Sequence, residues 1–197
     1  MSGAQPMPRV VLLGGINGAG KTTASRAVLQ DVLKIPTFVN ADAIARGLNG
    51  LNPEAESFRA GRLMLQEMAR LVEARADFAF ETTLSARTYA GWLSRLRVLG
   101  YEVYLYYYWL DSPELAIKRV ASRVKRGGHH VPDEDIRRRY ARSVRNFIEL
   151  YRPVADHWEV YDNTSGVPKL LGIRDWGEED VDNEYDWAQF LRSVENA

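Results

Sequence analysis

The 197-residue chain contains no cysteine, which rules out disulfide staples, thiolate nucleophiles and cysteine-ligated metal sites. An excess of one charge sign is also missing. Lysine plus arginine and aspartate plus glutamate both number 26, so the overall balance gives no reason to expect a nucleic-acid or membrane partner. Neither a bilayer-length apolar run nor a signal-peptide pattern is present, and a soluble cytoplasmic protein is expected. Internal repeats and low-complexity tracts are lacking too. The length asks for no second domain: residues 1–197 read as one unit, large enough to bury roughly 70% of its unfolded surface.

What is present is a complete G-x-x-x-x-G-K-[ST] pattern, Gly15-Ile16-Asn17-Gly18-Ala19-Gly20-Lys21-Thr22, directly after the apolar run Val10-Val11-Leu12-Leu13. Such a loop turns successive backbone N–H groups toward phosphate oxygens, while the lysine adds positive charge and the Thr22 hydroxyl offers a magnesium ligand. The strand before it and the helix-compatible stretch 23–33 after it supply the context the pattern requires. Gly15, Asn17, Gly18, Ala19, Gly20, Lys21, Thr22 and Thr23 are therefore the expected ATP-binding residues. A dinucleotide fingerprint fits less well, because the frame that starts at Gly18 and Gly20 ends on Thr23 instead of a third glycine.

Strand and helix signals alternate along the rest of the chain. After a disordered lead over 1–8, strands are expected from about Arg9 and over 36–40, 78–82, 101–110 and 158–161. Helices are expected over 54–75, 86–99, 113–126 with Ser112 as N-cap, from 133 onward, and 185–194. This pattern predicts a three-layer α/β domain, a five-stranded parallel sheet with helices on both faces. The acidic stretch 175–186 reads as a solvated loop. Ligands of such sheets lie at the carboxyl ends of the strands, where Asp42, Glu81, Asp111 and Asp162 fall.

Phosphoryl transfer needs a carboxylate facing the loop to take the proton of an acceptor hydroxyl. Asp42 and Glu81 qualify, on strands expected to flank the strand of the loop. Asp42 is favoured as the base and Glu81 as the group that orients substrate or magnesium-bound water; the reverse assignment is open, and Asp42 reads equally well as a helix N-cap. Arg119, Arg123 and Arg126 share one helix face, and Arg138, Arg142 and Arg145 share the next. They flank the tip Gly127-Gly128-His129-His130, which reads as a lid over 119–132, with Arg119 and Arg126 chosen to touch phosphate. Substrate or phosphate contact by His129 or His130 is favoured over metal binding, since adjacent residues point apart and no third ligand lies near. Aromatics that would stack bases are largely missing from the basic segment, which argues against nucleic acid. Asn163 is a candidate for contact with the base of ATP, or a turn residue.

Together with the loop, the segments Asn40-Ala41-Asp42, Glu81-Thr82-Thr83-Leu84 and Gly127-Gly128-His129-His130-Val131-Pro132 make residues 9–165 resemble the zeta-toxin-like family of P-loop kinases. The resemblance implies an ATP- and Mg2+-dependent kinase that phosphorylates the sugar 3′-hydroxyl of UDP-N-acetylglucosamine, with an antitoxin as partner. It makes Lys21 the phosphate lysine, Thr22 the Mg2+ ligand, Asp42 the base, Glu81 and Thr82 the substrate-side pair and Arg119 the first lid arginine. The second lid arginine of the family falls on His129 or His130, so a histidine replaces it or Arg126 takes its place. The chain is similar to a compact, stand-alone branch of that family. Two other readings stand beside this one: a kinase of another small hydroxyl compound, such as a nucleoside, nucleotide or antibiotic, and an ATP-binding switch acting through a protein partner.

Overall fold

A computed structural model of the protein describes residues 6–193; most of the expected N-terminal lead and the last residue of the expected C-terminal helix lie outside them. Strand β1 (Arg9–Gly14) is third in a seven-stranded sheet and the middle one of its five parallel strands. It pairs in parallel with β3 (Phe78–Thr82) on one side and β4 (Glu102–Trp109) on the other. The short β2 (Phe38–Val39) flanks β3, and β5 (His157–Asp162) flanks β4, both in parallel. Beyond β5 come β6 (Lys169–Asp175) and β7 (Glu178–Val181), both antiparallel to their neighbours. The spatial order is β2-β3-β1-β4-β5-β6-β7.

Three expectations change at this level. The five parallel strands are found, but two antiparallel strands extend the sheet. The acidic stretch 175–186 is no loop: β6 and β7 form a hairpin whose turn residues, Trp176 and Gly177, both have positive φ, 46° and 95°. That geometry matches the twist of the flanking strands, but Trp-Gly is a weak turn signature beside the usual Asn-Gly or Asp-Gly. Finally, of the two strands that lead to Asp42 and Glu81, only β3 adjoins the strand that feeds the phosphate loop; β2 lies one place further out.

Alternation along the strands splits the core into two layers. Val10 and Leu12 of β1, with Val103, Leu105, Tyr107 and Trp109 of β4, face one cluster, while Val11 and Leu13, with Tyr106 and Tyr108, face the other. This is the signature of strands buried on both faces. The first layer is covered by α3 (Ser57–Glu73), α4 (Thr88–Val98) and α7 (Glu184–Arg192). The second is covered by α1 (Lys21–Arg26), its π-helical continuation to Val32, and α5 (Pro113–Lys125), which Ser112 caps by accepting from the Leu115 amide.

Helix α6 (Asp133–Asn146) carries the expected apolar stripe, but the stripe serves both layers. Ile136 and Tyr140 belong to the second cluster, and Val144, with Phe147 and Tyr151 beyond the helix, to the first. The helix thus passes over the carboxyl edge of the sheet. Tyr140 Oη donates to the Leu110 carbonyl at 2.7 Å and Asn146 Nδ2 to the Leu84 carbonyl at 2.8 Å, just past β4 and β3. Helix α2 (Ala41–Leu48) follows β2 at that same edge.

Candidate active site

The loop between β1 and α1 folds over the end of β1 because its glycines permit close contacts. Gly15 has φ 133°, and a Cβ there would sit 2.2 Å from the Tyr108 carbonyl oxygen. Gly20 has φ 89°, and a Cβ there would meet Asn163 Nδ2 at 2.4 Å. Asn163, buried just beyond β5, donates through that nitrogen to the Ala19 carbonyl at 2.8 Å and so ties the loop to the far side of the sheet.

Lys21 is only 5% exposed. Its ammonium donates to the Ile16 carbonyl at 3.0 Å and lies 3.5 Å from Glu81 Oε1. Burial pushes its pKa below the ordinary lysine value; the Glu81 carboxylate pulls the other way, and the Arg123 charge adds to the lowering. A buried cation of this kind is the natural partner of an incoming polyanion. Thr22 Oγ1 donates to Glu81 Oε2 at 2.9 Å, and Asn40 Nδ2 donates to the same oxygen at 2.9 Å. One carboxylate from β3 thereby gathers the lysine and hydroxyl of the loop and the start of α2.

Asp42 is not the cap of its helix. Asn40, with extended φ and ψ of −135° and 120°, holds that place, its side chain accepting from the Ala43 amide at 2.9 Å. That leaves Asp42 exposed in the first turn of α2, on the wall facing the loop. A cavity of about 650 Å³ lies between them, lined by Asn17, Gly18, Gly20, Lys21, Thr22 and Thr23, by Asp42 and Glu81, and by Arg119, Arg123, Arg126 and Asn163. Four cations, Lys21 and the three arginines, outnumber the two carboxylates, so the cavity suits an anion. Asp42 also borders a smaller adjoining cleft with Ala45, Arg46, Pro53, Ser57 and His129.

The sequence-predicted residues thus fall into distinct places. Arg119 lines the cavity, but its Nη2 is held by the Asn163 and Thr164 carbonyls at 2.8 and 3.0 Å. Arg126 lines it at the C-cap of α5. His129 reaches the smaller cleft. His130 and Thr82 line neither cavity; the Thr82 hydroxyl accepts from the Leu84 amide at 3.2 Å. On α6, Arg138 pairs with Asp135 at 2.6 Å.

Two arginines beyond the chosen pair come to the site. Arg123 lines the cavity, donates through Nη2 to the His129 carbonyl at 2.7 Å, and keeps a buried Nε that has no partner among the described residues. Its position one turn after Arg119 was a sufficient signal. Arg139 donates to Asn17 Oδ1 of the loop at 3.1 Å; nothing in the helical phase of α6 marks it out, because the contact depends on that helix crossing the sheet edge.

The donor set fits Mg2+ bound with a nucleoside triphosphate. Thr22 Oγ1 would be its protein ligand and Glu81 would hold its waters, an arrangement that suits an ion that keeps several waters and takes few carboxylates. Among the described residues no three His, Asp or Glu side chains cluster as a self-sufficient metal cage.

A mainly parallel sheet with this loop at the end of its central strand defines a P-loop α/β domain of the kinase-like type. A family model described as an AAA domain matches residues 10–145, and the chain belongs to that family. An uncharacterized protein of Haemophilus influenzae is 29% identical over 132 residues, covering 67% of this chain and 92% of that one. The AvrRxo1-ORF1:-ORF2 complex with ATP superposes with a TM-score of 0.75 at 15% identity over 93% of this chain, which spans 63% of that longer one. The PezAT chromosomal toxin-antitoxin system of Streptococcus pneumoniae gives 0.63 at 19% identity, covering 98% of this chain and 80% of that one. A gluconokinase of Sinorhizobium meliloti gives 0.50 at 15% identity over 96% and 94%. At such identities the likeness is one of fold. No helix among the described residues is long and apolar enough to cross a membrane.

Proposed function

We propose that the protein is a kinase that moves the γ-phosphate of ATP to a hydroxyl of a small molecule, with the 3′-hydroxyl of UDP-N-acetylglucosamine as the leading acceptor. The reading is carried by one observation: Glu81 joins Lys21 and Thr22 in the cavity while a second carboxylate, Asp42, comes to the same cavity exposed in the first turn of α2. A switch needs only the first group; a second carboxylate is what an acceptor hydroxyl requires.

In this mechanism the loop amides and Lys21 hold the β- and γ-phosphates, and Arg119, Arg123 and Arg126 supply further positive charge around the transferring group. Thr22, held by Glu81, would be the residue that holds Mg2+, which would supply charge neutralisation for the phosphates. The acceptor enters from the smaller cleft beside His129 and gives its hydroxyl proton to Asp42. As the new O–Pγ bond forms, the bond between Pγ and the bridging oxygen breaks and ADP leaves. Glu81 keeps Thr22 and Asn40 in register throughout. The acceptor class rests on the family resemblance, and a protein antitoxin belongs to the same reading; among the similar structures PezAT is named as a toxin-antitoxin system.

Purified protein incubated with ATP, Mg2+ and a panel of UDP-sugars tests this by mass spectrometry. The expected product is UDP-N-acetylglucosamine carrying one added phosphate. Consumption of ATP with no sugar product would sink the acceptor assignment, and growth arrest on expression in bacteria is expected only if that product forms.

A further inference from the structure

The glycine-rich tip after α5 is held from both sides. Gly127 has φ 80°, and a Cβ on Gly128 would lie 2.4 Å from Arg123 Cγ, so the chain doubles back tightly over that arginine. From the phosphate side, Arg123 Nη2 grips the His129 carbonyl. The opposite side is held by Glu54, in the 3-10 turn Pro53–Glu56 between α2 and α3. One oxygen, Oε1, accepts from the His130 amide at 3.1 Å and lies 3.4 Å from His129 Nδ1. The side chain of His129 borders the cleft beside Asp42, while its carbonyl holds an arginine of the phosphate cavity.

We propose that Glu54 is a positioning residue that pins the 127–130 tip across the two halves of the site, placing His129 over the acceptor cleft and Arg123 over the phosphates. The inference rests on the kinase reading for its consequence, but not for the pin itself. A pinned tip restricts the path of water to the γ-phosphate and holds Arg123 on the cavity wall, its Nε buried and without a partner among the described residues. Free of the pin, the tip leaves the γ-phosphate open to water, which then competes with the acceptor.

Glu54→Ala and Glu54→Gln separate this from a merely structural role, because Glu54 is about half exposed and caps no helix. Amide hydrogen exchange is followed at His130 in the protein without ligand. Glu54→Ala should speed that exchange about ten-fold, the loss of one hydrogen bond, and leave α3 and β1 unchanged. Glu54→Gln retains an accepting oxygen and should restore most of the protection. Phosphate release from Mg-ATP alone, with no acceptor, should rise roughly three- to ten-fold in kcat for Glu54→Ala, with KM for ATP within about two-fold of wild type. Unchanged exchange at His130 overturns the proposal, and so does faster exchange with unchanged phosphate release. If neither wild type nor Glu54→Ala releases phosphate from ATP and no hydroxyl acceptor is phosphorylated by wild type, the kinase reading fails, and the exchange measurement alone then decides whether Glu54 pins the tip.

Discussion

Lys21, Gly20 and Asp42 each make a different demand on the site. Lys21 is buried against Ile16 and Glu81, and in the proposed mechanism Lys21→Ala removes the charge that would meet the phosphates; phosphate transfer from ATP should fall below detection in a coupled assay. Gly20→Ala forces a Cβ onto Asn163 Nδ2 at a left-handed φ, so it should weaken ATP binding by about ten-fold or more in calorimetry, with the contact between Asn163 and Ala19 lost. These roles were legible, since the loop motif names its own residues. Legibility was poorer where side chains arrive from elsewhere. Asp42 and Asn40 exchanged places as helix cap because both are good capping residues, and only the extended backbone at Asn40 decides between them. Arg139 was invisible because its reach to Asn17 depends on the path of a whole helix.

Among the secondary elements, β4 and α6 carry the largest consequences. The β4 strand brings four tyrosines, residues 104 and 106–108, into the sheet, and burial raises all of their pKa values, Tyr104 and Tyr108 to about 12. Tyr140 of α6 is raised likewise to about 12, again chiefly by burial. A raised folded-state value means that this stability is fully present below the ordinary 10.0 and is lost as pH climbs through the folded values. Circular dichroism should therefore show unfolding between about pH 10 and 12, with tyrosinate absorbance of these five residues appearing in the same transition; their ionisation with the fold intact would contradict the packing described. Tyr140→Phe removes the bond to Leu110, costs about 1 kcal/mol and should lower Tm by about 2–4 °C in calorimetry without altering ATP turnover. Apolar runs and periodicity predicted β4 and the α6 stripe well. They could not show that the stripe divides between two layers, because a repeating apolar face does not say which surfaces it meets.

The molecule as a whole is a parallel P-loop core with an antiparallel hairpin added at one edge, and its candidate site is the cavity where the loop, α2 and α5 converge over β1 and β3. Alternating helix and strand signals made the core readable. The hairpin was not, since Glu178, Glu179 and Asp180 give β7 a charge density that reads as solvated loop, although acidic side chains on an outermost strand also discourage unwanted pairing with other sheets. The central claim is transfer of phosphate to a hydroxyl with Asp42 as the base. The most direct measurement compares wild type with Asp42→Asn in ATP, Mg2+ and UDP-N-acetylglucosamine, reading phosphorylated sugar nucleotide by mass spectrometry and ATP affinity by calorimetry. The account predicts product from wild type, a loss of at least about 100-fold in kcat for Asp42→Asn, and ATP affinity unchanged within about two-fold; equal turnover by the two proteins would contradict it.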